Sequence, residues 1–155
     1  VDYIINLQGD EPSINKDDII NLNNLVLKNN LDMATLGLEI KDDSIFTKEN
    51  IVKVVTKNKL ESNKFSRALN FSRKKIAEKN LNIYHHIGIY QYKVSVLNKF
   101  INLSQTKNEI QNKLEQLRAL DNNIKIEVVL AKSPVIGVDT KEDFLAIKKI
   151  MEYKS

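Results

Sequence analysis

Residues 3–12 read YIINLQGDEP, and this stretch decides the fold. The run at 3–7 predicts a buried β-strand, because its residues are aliphatic, β-branched or aromatic and it ends abruptly in polar residues, Gly and Pro. In open α/β sheets, ligands bind just beyond the carboxyl ends of the strands. Asp10 at such a position can hold a hard cation, and Gly9 lets the backbone approach a ligand. The alternative is a polar turn in which Asp10 or Glu11 caps the next helix.

The rest of the chain alternates between strand and helix patterns, which favours layered α/β architecture. Strands are predicted at 32–40, 51–56, 66–72, 83–92 and 124–130, and helices at 15–29, 94–103, 108–120 and from 141 to about 153. The strands at 51–56 and 66–72 are separated by a polar turn alone, which predicts an antiparallel pair. Asn15 is expected to cap the first helix, and Thr140 and Asp143 to form a capping box at the last. The expected core-facing stripe of that last helix is Phe144, Ile147, the stem of Lys148 and Met151.

Composition restricts the possible partners. The 155 residues predict a single domain, or part of one, spanning 1–155. The chain has no cysteine, which fits a reducing cytoplasm, and no apolar run approaches the roughly 20 residues of a membrane span. The net charge of +4 comes largely from scattered lysines. We therefore expect a cytoplasmic protein that binds neither membranes nor nucleic acid.

Two aspartates stand out by their context. Asp10 follows the first strand, and Asp139 lies in a Gly-containing turn before the last helix. If the two loops meet at one sheet edge, the carboxylates can share one Mg²⁺, which is typically held by one or two carboxylates and substrate phosphates. Taken alone, Asp139 is equally well explained as a turn residue beside the Thr140 cap.

Other candidate residues are individually weak. Arg73 at a strand end can bind a carboxylate bidentately, or it can be a solvated surface arginine. His86 in an aromatic strand is more often a structural residue than a catalyst. Glu115 and Gln116 are equally consistent with an exposed pair on a helix. The adjacent histidines at 85 and 86 do not suggest zinc, because neighbouring residues on a strand point to opposite faces.

Five segments occur in an order that resembles the CMP-Kdo synthetase family, the 3-deoxy-manno-octulosonate cytidylyltransferases. They are QGDEP at 8–12, ALNFSR at 68–73, HIGIY at 86–90, LEQLRAL at 114–120 and GVDTKED at 137–143. Together they span nearly the whole chain, and their joint order is far more specific than any single segment.

The resemblance implies a nucleotide-diphospho-sugar transferase-like, Rossmann-like fold with a mixed sheet. It also implies a reaction in which CTP and Kdo give CMP-Kdo and pyrophosphate, for lipopolysaccharide biosynthesis, with Mg²⁺ as the cofactor and a homodimer as the full-length protein. Asp10 and Asp139 would then be the catalytic metal ligands. The implied substrate-binding residues are Gln8, Arg73, His86, Tyr90, Glu115 and Gln116.

The chain also departs from the family pattern. The N-terminal third, with its phosphate-binding loop and much of the cytosine site, has no counterpart, so we expect a fragment that lacks the N-terminal nucleotide-binding βα units and is inactive alone. The strand that opens the sequence also suggests a fragment, because a parallel strand needs neighbouring strands on both sides and no segment precedes this one in the given sequence to supply one. Lys74-Lys75-Ile76-Ala77 replaces the usual Pro and longer insertion after Arg73, Asn112 replaces a Glu, and Lys141 replaces a Pro.

Two alternatives stay open. One is a cytidylyltransferase for another sugar acid, such as an amino-Kdo or a sialic-acid-like substrate. The other is a non-catalytic fragment that binds a sugar acid or mediates dimerisation.

Overall fold

The computed structural model describes residues 1–8, 14–76, 80–133, 138 and 140–152. In chain order the elements are β1 (Tyr3–Leu7), α1 (Lys16–Asn29), β2 (Met33–Leu38), a 3₁₀ helix (Asp43–Thr47), β3 (Lys53–Thr56), β4 (Ser66–Ser72), β5 (Asn82–Lys93), α2 (Val94–Ile101), α3 (Lys107–Asn112), α4 (Gln116–Asp121), β6 (Ile126–Leu130) and α5 (Lys141–Glu152). The expected strands at 3–7 and 66–72 are confirmed to the residue.

The strands form one mixed sheet whose pairings close into a ring. β5 pairs on one side with β2 and on the other with β1 and β3; β3 then pairs with β4, β4 with β6, and β6 with β2. The β2–β6 pair is parallel and the other pairs are antiparallel. The antiparallel pair predicted around residues 51–72 is confirmed, as is the mixed α/β layering.

Helices cover both faces of the sheet. On one face, α1 packs Leu22 and Val26 against Ala34 and Leu36 of β2. On the other, aromatic side chains of β5 pack with Phe100 of α2 and with the segment carrying α3 and α4. Met33 of β2 belongs to this second cluster, whereas Ala34 and Leu36 belong to the first, as the two-residue period of a strand requires. In the described ranges, no helix has the length and apolarity that crossing a membrane requires.

The predicted helix caps are present. The Asn15 side chain accepts a hydrogen bond from the backbone of Asp17, and the Thr140 hydroxyl accepts one from the backbone of Asp143 while the Asp143 carboxylate accepts from that of Thr140. Asp18, in the first turn of α1, accepts hydrogen bonds from the backbone N–H groups of Lys132 and Ser133. The start of α1 is therefore tied to the segment that follows β6.

Two expectations about burial are wrong. The first strand is not buried: β1 pairs antiparallel with β5, and Ile4 and Leu7 are exposed. The expected stripe of α5 is also incorrect, since Ile147 is buried but Phe144, Lys148 and Met151 are exposed. In both cases the sequence pattern predicts an apolar face, but it does not predict that these side chains stay largely exposed.

A third expectation failed at a helix boundary. The helix expected over 108–120 is two short helices, α3 and α4, separated by Lys113, Leu114 and Glu115. Lys113 has a left-handed backbone with φ 53°, which ends α3, and Leu114 turns inward and is buried. The hydrophobic spacing of Leu114, Leu117 and Leu120 fits one continuous helix, so periodicity alone did not reveal the break.

Candidate active site

A cavity of about 1320 Å³ opens beside the carboxyl ends of β1, β2 and β6, where Gln8, Leu38 and Leu130 contribute to its lining. These three strands run in the same direction, because β1 and β2 are both antiparallel to β5 and β6 is parallel to β2. The cavity is large enough for a sugar acid together with a nucleotide. It lies at the sheet edge where α/β folds bind ligands.

A bulge in β5 shapes the wall of this cavity. Leu36 of β2 pairs with Ile87, but the preceding residue, Thr35, pairs with Tyr90, so β5 carries two extra residues between these pairs. The Thr35 hydroxyl fills the bulge, with its Oγ1 2.6 Å from the carbonyl oxygen of Ile89 and 3.2 Å from that of Ile87. A buried side chain thus takes the place of backbone partners that the bulge removes from the ladder.

His86 lies beside the bulge and contributes to the cavity lining. It is 7% exposed, and its Nε2 is 2.9 Å from the Thr35 hydroxyl. Burial, with a smaller contribution from the nearby His85, lowers the pKa of His86 to about 3. At neutral pH the imidazole is therefore uncharged and can serve as a hydrogen-bonding group but not as a cation.

Aromatic rings continue from His86 along the wall. The rings of Phe71, His86, Tyr90, Tyr92 and Phe100 follow one another with centroid separations of 5.1, 5.3, 5.8 and 6.3 Å. Burial raises the pKa of both Tyr90 and Tyr92, so each keeps its phenolic proton and can donate it. The Tyr90 hydroxyl oxygen is buried and has no hydrogen-bond partner among the described residues.

The break between α3 and α4 places three polar side chains at the cavity. Lys113, Glu115 and Gln116 all contribute to its lining. Because α4 begins at Gln116, this residue and Glu115 project from a helix start and not from the middle of a long exposed helix. The left-handed Lys113 therefore has a consequence for the site as well as for the chain path.

A buried ion pair supports this break. Arg118 of α4 donates from Nη2 and Nε to the two carboxylate oxygens of Glu109 in α3, at 2.6 and 2.8 Å. The hydrogen bonds from Arg118 lower the pKa of Glu109, and Glu109 in turn raises that of Arg118. The same guanidinium lies 5.0 Å from the centroid of Phe100 and 3.4 Å from a carboxylate oxygen of Glu115. Arg118 thus connects the two short helices to the aromatic row and to Glu115.

A second buried cation, Lys53, supports another part of the cavity lining. Lys53 is fully buried, and its ammonium donates to the backbone carbonyls of Lys48, at 3.0 Å, and Arg73. Burial lowers the pKa of Lys53, and the charge of Glu49 opposes that effect. Both Lys48 and Arg73 contribute to the cavity lining, so Lys53 ties together the two segments that bring positive charge to it.

The six substrate-binding residues expected from the sequence lie around this one cavity. They are Gln8, Arg73, His86, Tyr90, Glu115 and Gln116. Asp10 and Asp139, the expected metal ligands, and Gly137 beside them fall outside the described residues. Across the ranges that are described, no group of three or more His, Asp or Glu side chains could hold a metal ion.

Several residues of the site were not found from the sequence. Thr35 and Lys113 carry no distinguishing pattern, since a threonine in a strand and a lysine in a polar segment are ordinary. Lys53 does have a signal, because it stands between β-branched residues in the run IVKVV. A charged residue that has apolar residues directly before and after it in a strand indicates a buried side chain with polar partners.

A family model described as "Cytidylyltransferase" matches residues 1–126. The chain belongs to the cytidylyltransferase family.

Curated members of this family resemble the chain closely. The 3-deoxy-manno-octulosonate cytidylyltransferase of Bartonella bacilliformis is 42% identical over 149 residues, covering 96% of this chain and 60% of the relative. The enzyme of the same name from Thermodesulfovibrio yellowstonii is 41% identical over 152 residues, again covering 96% of the chain and 60% of the relative. The chain therefore spans about 60% of the length of these relatives.

Solved structures agree with this assignment. A CMP:2-keto-3-deoxy-manno-octonic acid synthetase complexed with CTP superposes with a TM-score of 0.82 at 32% identity, covering 99% of this chain and 63% of that one. An apo UDP-glucose pyrophosphorylase gives a TM-score of 0.68 at 14% identity, covering 99% and 55%. The second match shows the shared fold alone, that of the nucleotide-diphospho-sugar transferases.

Proposed function

We propose that this cytidylyltransferase chain carries the sugar-acid and metal-binding part of an enzyme that couples CTP to Kdo, giving CMP-Kdo and pyrophosphate for lipopolysaccharide biosynthesis. The observation that carries the proposal is that six residues from distant parts of the sequence surround one cavity. The names of the curated relatives and the CTP complex of the structural relative support the choice of substrates.

The chemistry of the lining suits a carboxylated polyol. Arg73 offers a planar, permanently charged group for the sugar carboxylate. Neutral His86, protonated Tyr90 and the amide of Gln116 offer uncharged hydrogen-bonding groups for hydroxyls. Gln8 and Glu115 complete the set of residues proposed to contact the sugar or the adjoining nucleotide.

In the proposed reaction, the anomeric hydroxyl oxygen of the sugar acid bonds to the α-phosphorus of CTP. The bond from that phosphorus to the bridging oxygen breaks, pyrophosphate leaves, and the hydroxyl proton passes to solvent. The residues of this chain bind and orient the sugar acid, so that its hydroxyl is held in line with the leaving group.

We further propose that Asp10 and Asp139 hold one Mg²⁺. Two carboxylates are a donor set that suits this ion, which prefers oxygen ligands. When bound, the ion neutralises charge on the phosphates.

A homodimer and a cytoplasmic location are also part of the proposal. The exposed apolar side chains Phe144, Leu145 and Met151 on α5 support a protein partner.

Pyrophosphate release from the full-length protein that contains this chain tests the function. We expect release that requires both CTP and Kdo, and calorimetric binding of Kdo. Sialic acid and an amino-Kdo serve as competing substrates, and a preference for either would make it the proposed substrate in place of Kdo. Binding without turnover in the full-length protein would instead favour a non-catalytic sugar-acid-binding module. The absence of both binding and turnover would refute the proposal.

A further inference from the structure

We propose that Thr35 is a positioning residue that holds His86 in the tautomer with its proton on Nε2, so that Nδ1 accepts a hydrogen bond from a hydroxyl of the sugar acid. The inference deepens the proposed function and rests on it for the identity of the ligand. The assignment of the proton rests separately on the contacts of Thr35.

The argument begins with the single proton of the Thr35 hydroxyl. Its shortest contact, at 2.6 Å, is to the carbonyl oxygen of Ile89, and a further contact at 3.2 Å is to the carbonyl oxygen of Ile87. A carbonyl oxygen can only accept, so the hydroxyl must donate its proton on this side. The remaining contact, to Nε2 of His86 at 2.9 Å, can then only be one in which the hydroxyl accepts.

It follows that Nε2 of His86 carries a hydrogen. The buried imidazole is neutral, so its other nitrogen, Nδ1, carries none and is a hydrogen-bond acceptor. Among the described residues Nδ1 has no protein hydrogen-bond partner. It is also not among the unpaired side-chain atoms that are fully shielded from solvent. Since His86 contributes to the cavity lining, we infer that this nitrogen is the one a ligand in the cavity meets.

The second group that points to a ligand is Tyr90. Its hydroxyl is buried and unpartnered among the described residues, and its ring centroid is 5.3 Å from that of His86. One acceptor and one donor therefore lie side by side on β5, on either side of the bulge. A sugar hydroxyl both donates and accepts, so it can satisfy the two groups together, whereas a carboxylate or phosphate oxygen cannot donate to Nδ1.

The tautomer can be measured directly by long-range ¹⁵N–¹H NMR of the histidine side chains. In the wild-type protein we expect the His86 Nε2 signal of a protonated ring nitrogen and the Nδ1 signal of an unprotonated one. Thr35→Val keeps the branched shape but removes the hydroxyl, and should give a mixture of both tautomers. Thr35→Ser keeps the hydroxyl and should restore the single form.

Kdo binding supplies the second measurement. Saturation with Kdo should shift the wild-type Nδ1 signal toward that of a hydrogen-bonded acceptor. Thr35→Val should bind Kdo about tenfold more weakly, as expected for one misplaced hydrogen bond, and Thr35→Ser should bind it normally. The matched control is Thr56→Val, because Thr56 is also buried and its hydroxyl also donates to a carbonyl, that of Asn58, away from the cavity.

The outcomes separate this inference from the function on which it rests. Wild-type protein that binds Kdo but has the His86 proton on Nδ1, or Thr35→Val protein that keeps one tautomer and full affinity, would overturn the role of Thr35 alone. Wild-type protein with the expected tautomer but no affinity for Kdo would overturn the proposed function and the Nδ1 contact. If Thr35→Val does not fold, the wild-type tautomer and the response of its Nδ1 signal to Kdo still decide whether the inference holds.

Discussion

At the scale of single residues, His86 connects stability with the site. Burial holds its pKa at about 3, compared with 6.5 for an unperturbed histidine. Between these two values the unfolded chain binds a proton at this position and the folded chain does not. The free energy of unfolding must therefore decrease as the pH falls from 6.5 towards 3, by about 1.4 kcal/mol per pH unit from this group.

We expect His86→Gln to remove that contribution. Urea unfolding measured at several pH values between 3 and 7 checks this, and the informative quantity is the wild-type slope minus the variant slope, because the carboxylates are common to both proteins. Equal slopes in the two proteins would show that His86 titrates normally in the folded state.

Arg73 makes a prediction about affinity. Its backbone carbonyl is held by Lys53, but the contacts of its guanidinium with described residues are long, 3.4 Å to the carbonyl of Glu49 and 3.5 Å to that of Asn50. Such a side chain can change partner at little cost. Arg73→Ala should weaken Kdo binding by about tenfold or more, since a charged hydrogen bond is lost, and Arg73→Lys should restore affinity in part.

Calorimetric titration with Kdo measures this effect. Arg67→Ala is the control, because Arg67 lies on β4, the strand that ends just before Arg73, but it pairs with Glu127 and does not contribute to the cavity lining. Kdo affinity that is unchanged in Arg73→Ala would remove Arg73 from the site.

At the scale of elements, the segment before β3 and the end of β4 depend on Lys53. Replacing it by Met would keep much of the side-chain volume but leave two backbone carbonyls, of Lys48 and Arg73, without their donor. We expect Lys53→Met to lower the free energy of unfolding by about 2 kcal/mol and to speed amide exchange in segment 48–52.

Urea unfolding and hydrogen-exchange mass spectrometry check these two effects. Lys57→Met is the matched control, because Lys57 directly follows β3, the strand that carries Lys53, but its side chain is exposed. Exchange in segment 48–52 that is as slow in Lys53→Met as in the wild type would show that the ammonium does not hold these segments.

The elements also show how far the sequence could predict the structure. Strands with strong β-branched patterns and helices with clear caps, such as Asn15 and Thr140, were found correctly because local chemistry specifies them. The break at Lys113 was missed, because a left-handed lysine has no local signature and is imposed by the packing of Leu114 and the Glu109–Arg118 pair. The exposure of Phe144 was missed because amphipathic spacing predicts an apolar face but not what covers it.

At the scale of the whole molecule, the family resemblance predicts site residues that local patterns do not single out. Gln8 and Glu115 are far apart in sequence, and as single residues they are ordinary; the ordered set of segments placed them in one site, and both contribute to the cavity lining. The bulge that carries His86 and Tyr90 was not predictable, because it depends on the pairing of β5 with β2.

The whole enzyme provides the test of the metal ligands. In the full-length protein, Asp10→Asn or Asp139→Asn should lower turnover by about a hundredfold or more, because electrostatic stabilisation of the transferred phosphoryl group is lost. The thermal midpoint should change little. Removal of Mg²⁺ with EDTA should have the same effect on turnover, and addition of Mg²⁺ should reverse it.

Asp32→Asn is the control for these variants, because Asp32 is an exposed aspartate at the opposite end of β2 from the cavity. Wild-type turnover in Asp10→Asn would refute its assignment as a metal ligand.

The closed ring of strands has a consequence for synthesis on the ribosome. β2 ends at Leu38, but β6, its parallel neighbour, begins only at Ile126. While the chain emerges, one edge of β2 must remain without its partner until nearly all of the described sequence has been translated, and such edges pair readily with other chains. We therefore expect nascent chains that stall before β6 to be the aggregation-prone species, and to depend on chaperones more than the finished protein does.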